Sequence, residues 1–414
     1  MPSAAPAEPP RLVVLGSGFA GYSLVSRLPR RLFRVAMVSP TNHFLFTPLL
    51  PSSAVGTVEL RSILEPVRRR RPWVRLYEGT AEAIDFEARR VDCRSAVSSE
   101  SFSLPYDRLV IAVGAAVADY GVPGVAEHAL RLKSAADARA LRHRVLAQYA
   151  AAEVPGLAAE EVDRRLTFVV CGGGATGVEA AAELDDLLDG EMRRLHPELA
   201  GRARVVLVEA LERLLGGFDE ALSTYTREHF ARSGIAVETG TRGTAVEAGA
   251  VRLESGATIP CGAVIWTGGN AALPLVAGLG LPLERGRIVV DERLRVPDAP
   301  GVWAAGDCAA TAGAPMPATA QIAQQQGKYL AAAFRRELAG GVPPPFSGKS
   351  MGMLAYVGGG VALADLPRVT WSGRGAWLFW RSVYLTRLVS LANKVKVLFD
   401  WAKASLFGRD ASRF

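Results

Sequence analysis

The sequence predicts an α/β fold in which one strand–turn–helix unit occurs twice. Residues 11–28, RLVVLGSGFAGYSLVSRL, and 166–184, LTFVVCGGGATGVEAAAEL, each read as an apolar strand, a GxGxxG turn and the start of an apolar helix. Each copy is followed by a further strand that ends on glycine, YDRLVIAVGA at Gly114 and GAVIWTGGN at Gly268. The separations from the first motif glycine, 98 and 96 residues, agree closely. A chain of 414 residues is also long enough for two or three domains with full cores. Two Rossmann-type dinucleotide-binding domains are expected.

In such a turn the first glycine makes the tight bend, the second lets the backbone approach a pyrophosphate, and the third lets helix pack on strand. The first set is Gly16, Gly18 and Gly21, with Phe19 and Ala20 inside the motif; the second is Gly172, Gly174 and Gly177, with Thr176 inside it. An acid at the end of the next strand normally takes the ribose hydroxyls. RVVLVEA places Glu209 there. A carboxylate accepts from a 2′-hydroxyl and repels a 2′-phosphate, which favours NADH over NADPH, although nearby Arg213 leaves NADPH open. The first copy, FRVAMVSPTNHF, offers Ser39 at that place, so this position does not identify its ligand.

GVWAAGD, residues 301–307, reads as a strand ending at Gly306 and Asp307. Asp307 there faces a sugar or ribitol hydroxyl, or else caps the helix expected over 318–338, whose positive end would lie beside the same ligand. The division expected is 1–120 and 286–340 for the first domain, 121–285 inserted as the second, and 341–414 as a C-terminal region. Charged helical stretches at 133–152 and 158–165 lead into the insertion. GGVPPPFSG, residues 340–348, reads as a linker, because three prolines between glycines fit neither helix nor central strand. Residues 349–370 read as a hairpin turning at Gly358-Gly359-Gly360.

Hydrophobic residues make up 49% and charged residues 21%, which places the chain among globular proteins. The net charge of +7 is concentrated: residues 371–414 hold eight cations against two acids, leaving about +1 for the rest. That argues against a broad nucleic-acid-binding face. Cys93, Cys171, Cys261 and Cys308 form no CxxC pair, and the five histidines are scattered, so neither a disulfide framework nor a metal site is expected. The first residues read as a short Pro/Ala arm, neither signal nor transit peptide. With the Ala/Arg-rich composition this suggests the cytoplasmic face of a prokaryotic inner membrane. No run of about 20 uncharged apolar residues suggests a spanning helix.

On a 3.6-residue helix over 376–407, Trp377, Trp380, Tyr384, Leu388, Leu391, Val395, Leu398, Phe399, Ala402 and Leu406 share one face. Lys and Arg flank it and Asp400 falls further round, with a break near 390–393 allowed. A core-packing helix, a nucleic-acid-binding helix and a helix lying in a membrane interface all produce amphipathic patterns. Four of the seven tryptophans fall within 371–401, and cations on both flanks favour the interface. The same face can also serve a homodimer.

Several segments together resemble the type II, non-proton-pumping NADH:quinone oxidoreductases. They are SPTNHFLFTPLLPSSAVGTVELRSILEPVR (39–68), the second fingerprint with Glu209, GVWAAGDCA, ATAQIAQQQGKYL (318–330), and the closing MGMLAYVGGGVALADL and WRSVYLTRLVSLANKVKVLFDW. The resemblance implies FAD in the first domain, at Gly16, Gly18, Phe19, Ala20, Gly21 and Ser39, with Thr47 and Pro48 near the flavin ring and Gly114, Gly306, Asp307 and Ala320 around the cofactor. It implies NADH in the inserted domain, at Gly172, Gly174, Thr176, Gly177, Glu209, Thr267 and Gly268. Gln321 and Gln325, one helical turn apart, would lie where flavin meets quinone; without the resemblance they read as solvated glutamines. Glu179 matches a carboxylate of the family near the flavin–nicotinamide meeting point, or is a first-turn acid on a helix dipole. Tyr384 would line the quinone entry.

The implied activity passes a hydride from NADH to FAD and two electrons to a membrane quinone, ubiquinone or menaquinone, without proton pumping. A homodimer on a bilayer surface is expected. A sulfide:quinone oxidoreductase would need paired redox cysteines and a disulfide reductase a CxxxxC after the first fingerprint, while a non-catalytic flavoprotein would sense redox state or anchor partners.

Overall fold

A computed structural model describes residues 8–313 and 316–412. Most of the expected N-terminal arm lies outside the described residues. The chain forms two compact units, one of residues 1–44, 65–116 and 270–350, the other of 45–64, 117–269 and 351–414. The sequence division kept 45–64 with the first nucleotide-binding domain and set 341–414 apart. In the structure 45–64 and 351–414 pack within the second unit, because the hydrogen-bond partners of their polar groups are there, as shown below.

The first unit is built on a seven-stranded sheet. Its order is Val302–Ala304, Arg108–Ile111, Arg11–Leu15, Arg34–Ser39, Arg75–Asp85, Arg90–Ser95 and Ser101–Pro105. The first five strands are parallel and the last two turn back antiparallel. Leu12 through Leu15 are fully buried, as a strand covered on both faces must be. The Phe19–Arg27 helix packs on the Ala320–Leu338 helix, and Gly327 is what lets them touch. A Cβ at Gly327 would stand 2.2 Å from the carbonyl oxygen of Ala20. The proline linker is pinned to this unit: Tyr329 Oη donates to the Pro344 carbonyl at 2.7 Å and Phe346 N to the Glu292 carbonyl at 2.7 Å.

The second unit has a five-stranded parallel sheet, in the order Ala129–Leu130, Ala263–Trp266, Thr167–Cys171, Arg204–Val208 and Ala236–Glu238. The helical stretches leading in are Ala135–Ala152 and Ala159–Arg165. Beyond Ser350, Met353–Gly358 and Val361–Leu366 pair antiparallel around Gly358-Gly359-Gly360, all three at positive φ, and Val369–Gly373 adds a third strand. This sheet packs on the Ala175–Asp186 helix.

The tail is two helices, Arg374–Arg387 and Leu391–Phe407. Ser390 caps the second by accepting from Asn393 N at 3.1 Å, a local bond that a continuous helix cannot make. The expected single stripe is thereby divided. Trp380 and Leu388 turn inward, with the Trp380 ring tilted against those of Tyr384 (4.6 Å between centres) and Tyr356 (5.7 Å). The second helix inverts the usual pattern. Its buried side carries Asn393, Val397, Asp400 and Trp401, while Leu391, Phe399, Leu406 and Phe407 are 76%, 68%, 76% and 77% exposed. Asp400, expected on the polar side, is buried because it accepts from Glu59 N at 3.1 Å; Asn393 Nδ2 donates to the Leu64 carbonyl at 3.0 Å. Arg381 lies between Trp377 and Trp401, its guanidinium carbon 3.8 and 4.7 Å from the ring centres.

Candidate active site

Both glycine turns are built alike. Gly16 N donates to the Val38 carbonyl and Gly172 N to the Val208 carbonyl, each at 2.8 Å. Gly16 and Gly172 sit at φ +100° and +115°, conformations that favour glycine. A Cβ on Gly21 or Gly177 would come within 2.1 or 1.8 Å of the carbonyl oxygen of Gly16 or Gly172, so the third glycine closes helix on turn in both. A Cβ on Gly18 or Gly174 would meet nothing within 4 Å. These open second glycines each head a helix, which is the form a pyrophosphate cradle takes. The residues therefore fit two dinucleotides.

In the first unit, Ser39 at the end of its strand is buried and its hydroxyl bonds that of Ser17 at 2.8 Å. A cavity of about 420 Å³ is lined by Gly114, Ala115, Asp307, Cys308 and Ala318 among others. It lies at the start of the Ala320–Leu338 helix, where the dipole favours negative charge. Thr319, rather than Asp307, caps this helix, accepting from Ile322 N at 3.4 Å. Asp307 is thus left to face the cavity. Gly306, at φ +79°, is held by Gln326, whose Oε1 accepts from Gly306 N at 2.7 Å.

Sequence reasoning missed Gln326, which is 4% exposed, because it stands one place beyond the motif that drew attention. Its replacement by leucine is expected to cost about 1–3 kcal/mol by leaving a buried N–H unpaired, read as earlier thermal unfolding and easier flavin loss.

Gln325 is engaged elsewhere: its Nε2 donates to the Lys349 carbonyl at 2.9 Å and its Oε1 accepts from Lys349 N at 3.0 Å. Gln321, half-buried one turn earlier, offers its carbonyl to Gln325 Nε2 at 3.2 Å.

In the second unit, Glu209 leaves the strand beside the second glycine turn. Its carboxylate accepts from Leu211 N at 2.8 Å and from Gly173 N. Arg213 turns away, donating to the Gly216 and Phe218 carbonyls at 3.1 and 3.4 Å. Thr267 Oγ1 donates toward the Cys171 and Gly172 carbonyls, at 3.0 Å to each, joining the two turns of this unit.

Two residues singled out far apart in sequence, Glu179 and Tyr384, come together here. Glu179 is buried on the Ala175–Asp186 helix and accepts from Tyr356 N at 3.1 Å. Burial pushes its carboxyl up to about 8; the Tyr356 N–H opposes this and Glu183 adds to it. Tyr384 lies close enough for the Glu179 charge to raise its hydroxyl further, after burial. Tyr384 also meets Phe46 edge-on at 6.1 Å, and Phe46 precedes the Thr47–Leu49 turn that carries Thr47 and Pro48.

Glu183, one turn after Glu179, accepts from Ser52 Oγ at 2.5 Å and Thr57 Oγ1 at 3.0 Å, with Arg409 at 3.5 Å. Burial holds its carboxyl toward the neutral form.

All four cysteines are free and buried. Burial raises Cys171 to about 12 and Cys261 and Cys308 to about 11. Such thiols are poor nucleophiles at neutral pH. Cys308 is the one thiol among the residues lining the 420 Å³ cavity, which speaks against paired-cysteine sulfide chemistry. Among the described residues no group of His, Cys, Asp and Glu side chains could hold a metal ion, and no helix is long and apolar enough to cross a membrane.

The pyridine nucleotide-disulphide oxidoreductase family matches residues 10–327, and the NDH2 C-terminal domain matches 351–410. The chain is 36% identical to the mitochondrial internal alternative NAD(P)H-ubiquinone oxidoreductase A1 of Solanum tuberosum, over 98% of this chain and 88% of that protein. It is 38% identical to a probable NADH dehydrogenase of Dictyostelium discoideum, over 98% and 92%. In fold it matches NDH2 of Plasmodium falciparum in complex with NADH, with a TM-score of 0.93, 24% identity and coverage of 97% and 99%.

The similar proteins of Solanum tuberosum, Arabidopsis thaliana and Saccharomyces cerevisiae are mitochondrial. This corrects the expectation of a prokaryotic inner membrane, which rested on an Ala/Arg-rich composition that carries no information on compartment. Identity at this level, sustained along nearly the whole chain and through both the nucleotide-binding and C-terminal models, places the chain in the alternative, type II NADH:quinone oxidoreductase family.

Proposed function

We propose that the first unit holds FAD, that the second holds NADH, and that the protein oxidises NADH and reduces a quinone without pumping protons. The observation that carries the reading is the pair of like-built cradles, of which only the second places a carboxylate, Glu209, beside its glycine turn. FAD, when bound, supplies the two-electron relay between nicotinamide and quinone.

The chain's residues bind and orient around that chemistry. Gly16, Gly18 and Gly21 hold the FAD pyrophosphate and Asp307 its ribitol hydroxyls, while the start of the Ala320–Leu338 helix favours negative charge in the cavity. Gln325 acts through the Lys349 backbone that it pins. Glu209 takes the ribose hydroxyls of NADH. Glu179, neutral at pH 7, holds a proton on its carboxyl beside Tyr384, where quinone reduction needs one.

The outward apolar face of the Leu391–Phe407 helix, with Lys394 and Lys396 beside it, lies in a membrane interface, where quinone is available. A homodimer formed through the same face is the competing outcome of the membrane tests.

Anaerobic stopped-flow mixing tests the activity. NADH should bleach the flavin, and a ubiquinone analogue should restore it; bleaching by sulfide but not by NADH would sink the proposal. Glu209→Ala should raise the KM for NADH roughly tenfold, as loss of a charged hydrogen bond predicts, and narrow the preference over NADPH. Unchanged discrimination in steady-state assays would remove Glu209 from the ribose.

A further inference from the structure

Beside the Leu391–Phe407 helix lies a basic pocket that none of the chemistry above uses. It is a cavity of about 250 Å³ whose lining includes Ser53, Glu59, Arg61, Arg139, Arg142 and His143. Arg139 and His143 are one turn apart on the Ala135–Ala152 helix, so they share a face. Glu59, the one acid in the lining, is committed to Lys403 at 3.2 Å, and of the arginines Arg142 pairs with Asp410 at 3.1 Å. Arg61 and Arg139 form no ion pair among the described residues. The cavity therefore holds an excess of positive charge. A second observation points the same way. Ser53 is 3% exposed, and its hydroxyl has no hydrogen-bond partner among the described residues. A buried hydroxyl left unpaired is uncommon in a native protein and marks a place where a bound group completes the set.

Guanidinium groups, an imidazole and a serine hydroxyl together can donate to several oxygens of one anion, which is the pattern of phosphate recognition. The pocket wall is tied to the tail: Glu59 N donates to Asp400 and Glu59 pairs with Lys403, both on the helix whose other side is exposed and apolar. We propose that this pocket binds a phosphate-bearing anion through Arg61, Arg139, His143 and the Ser53 hydroxyl, and that its source is the phosphodiester headgroup of an anionic lipid. The lipid source rests on the interfacial reading of the tail helix; the phosphate site itself does not.

The test uses the full-length, flavin-loaded protein, the double variant Arg61→Gln/Arg139→Gln, Ser53→Ala, and a charge-matched control, Arg30→Gln/Arg31→Gln, at exposed positions elsewhere. Thermal unfolding is followed in inorganic phosphate against chloride at equal ionic strength. Co-sedimentation is measured with vesicles of phosphatidylcholine alone and of phosphatidylcholine mixed with phosphatidylglycerol. Phosphate should raise the melting temperature of the wild type and control but not of the double variant or Ser53→Ala. Partition onto phosphatidylglycerol vesicles should fall about fivefold per guanidinium removed, roughly 25-fold in the double variant, with no change on phosphatidylcholine. Equal stabilisation of every variant by phosphate, or an equal partition loss in the control, overturns the site. Phosphate stabilisation specific to the wild type and control, with partition unaltered in the double variant, upholds the site and overturns the lipid source. A wild type that ignores all vesicles yet responds to phosphate overturns the interfacial reading and leaves the site standing. Reduction of a short-chain quinone by NADH should persist in all variants, and its absence from the wild type counts against the proposed activity instead.

Discussion

Glu179→Gln is expected to slow NADH-driven quinone reduction by about 100-fold, the scale of a lost proton donor, while NADH still bleaches the flavin at close to the wild-type rate. Glutamine keeps the acceptor for Tyr356 N, so the packing of the Met353–Gly358 strand survives the change. Burial raises the folded-state carboxyl from 4.5 to about 8. The proton-bearing form therefore prevails at neutral pH, and the wild-type rate with quinone should fall as pH rises through about 8. The variant should lose that break. Stability follows the same titration. A raised carboxyl contributes fully below its ordinary value and loses that contribution as pH rises through the folded value. The melting temperature of Glu179→Gln should consequently gain on the wild type as pH increases. If both half-reactions slow together, or the pH break persists, Glu179 does not supply the proton.

Changing Leu398, Phe399, Leu406 and Phe407 together to serine is expected to reduce partition onto vesicles by about 100- to 10,000-fold, taking each side chain as half buried in the interface. These four are exposed, so removing them deletes no contact of the core. Deleting 371–414 would be a poorer test. It would remove Trp380 and Trp401 from the core, part of the third strand of the C-terminal sheet, and the Asp400 and Asn393 anchors. The serine variant should retain turnover with a short-chain quinone in detergent. Unaltered partition would reject the interface. A halved mass by light scattering, with partition unchanged, would assign the face to a second copy of the chain.

The glycine turns were legible because their requirement is local: a positive φ at Gly16 and Gly172 and a close approach at Gly21 and Gly177 admit little else. Glu209 was legible for the same reason, since strand length brings it back beside its own turn. The Gln321–Gln325 pair was legible as a motif but not as a role. Which amide meets the Lys349 backbone depends on how residues 341–350 return to the helix, and that return is a tertiary event. Gln326 carried no signal of its own, because its partner is a single backbone N–H twenty positions away.

The sequence by itself determined the twice-built nucleotide turn, which rests on spacing within one strand–turn–helix unit, and the family, which rests on motifs spread along nearly the whole chain. Only the tertiary structure decided that Phe46, Glu179, Tyr356 and Tyr384 share one buried cluster. It alone decided that the tail breaks at Ser390 and turns its apolar side outward. An amphipathic period states that a helix has two faces. Asn393 and Asp400, by bonding Leu64 and Glu59 in the body, select the face that goes in.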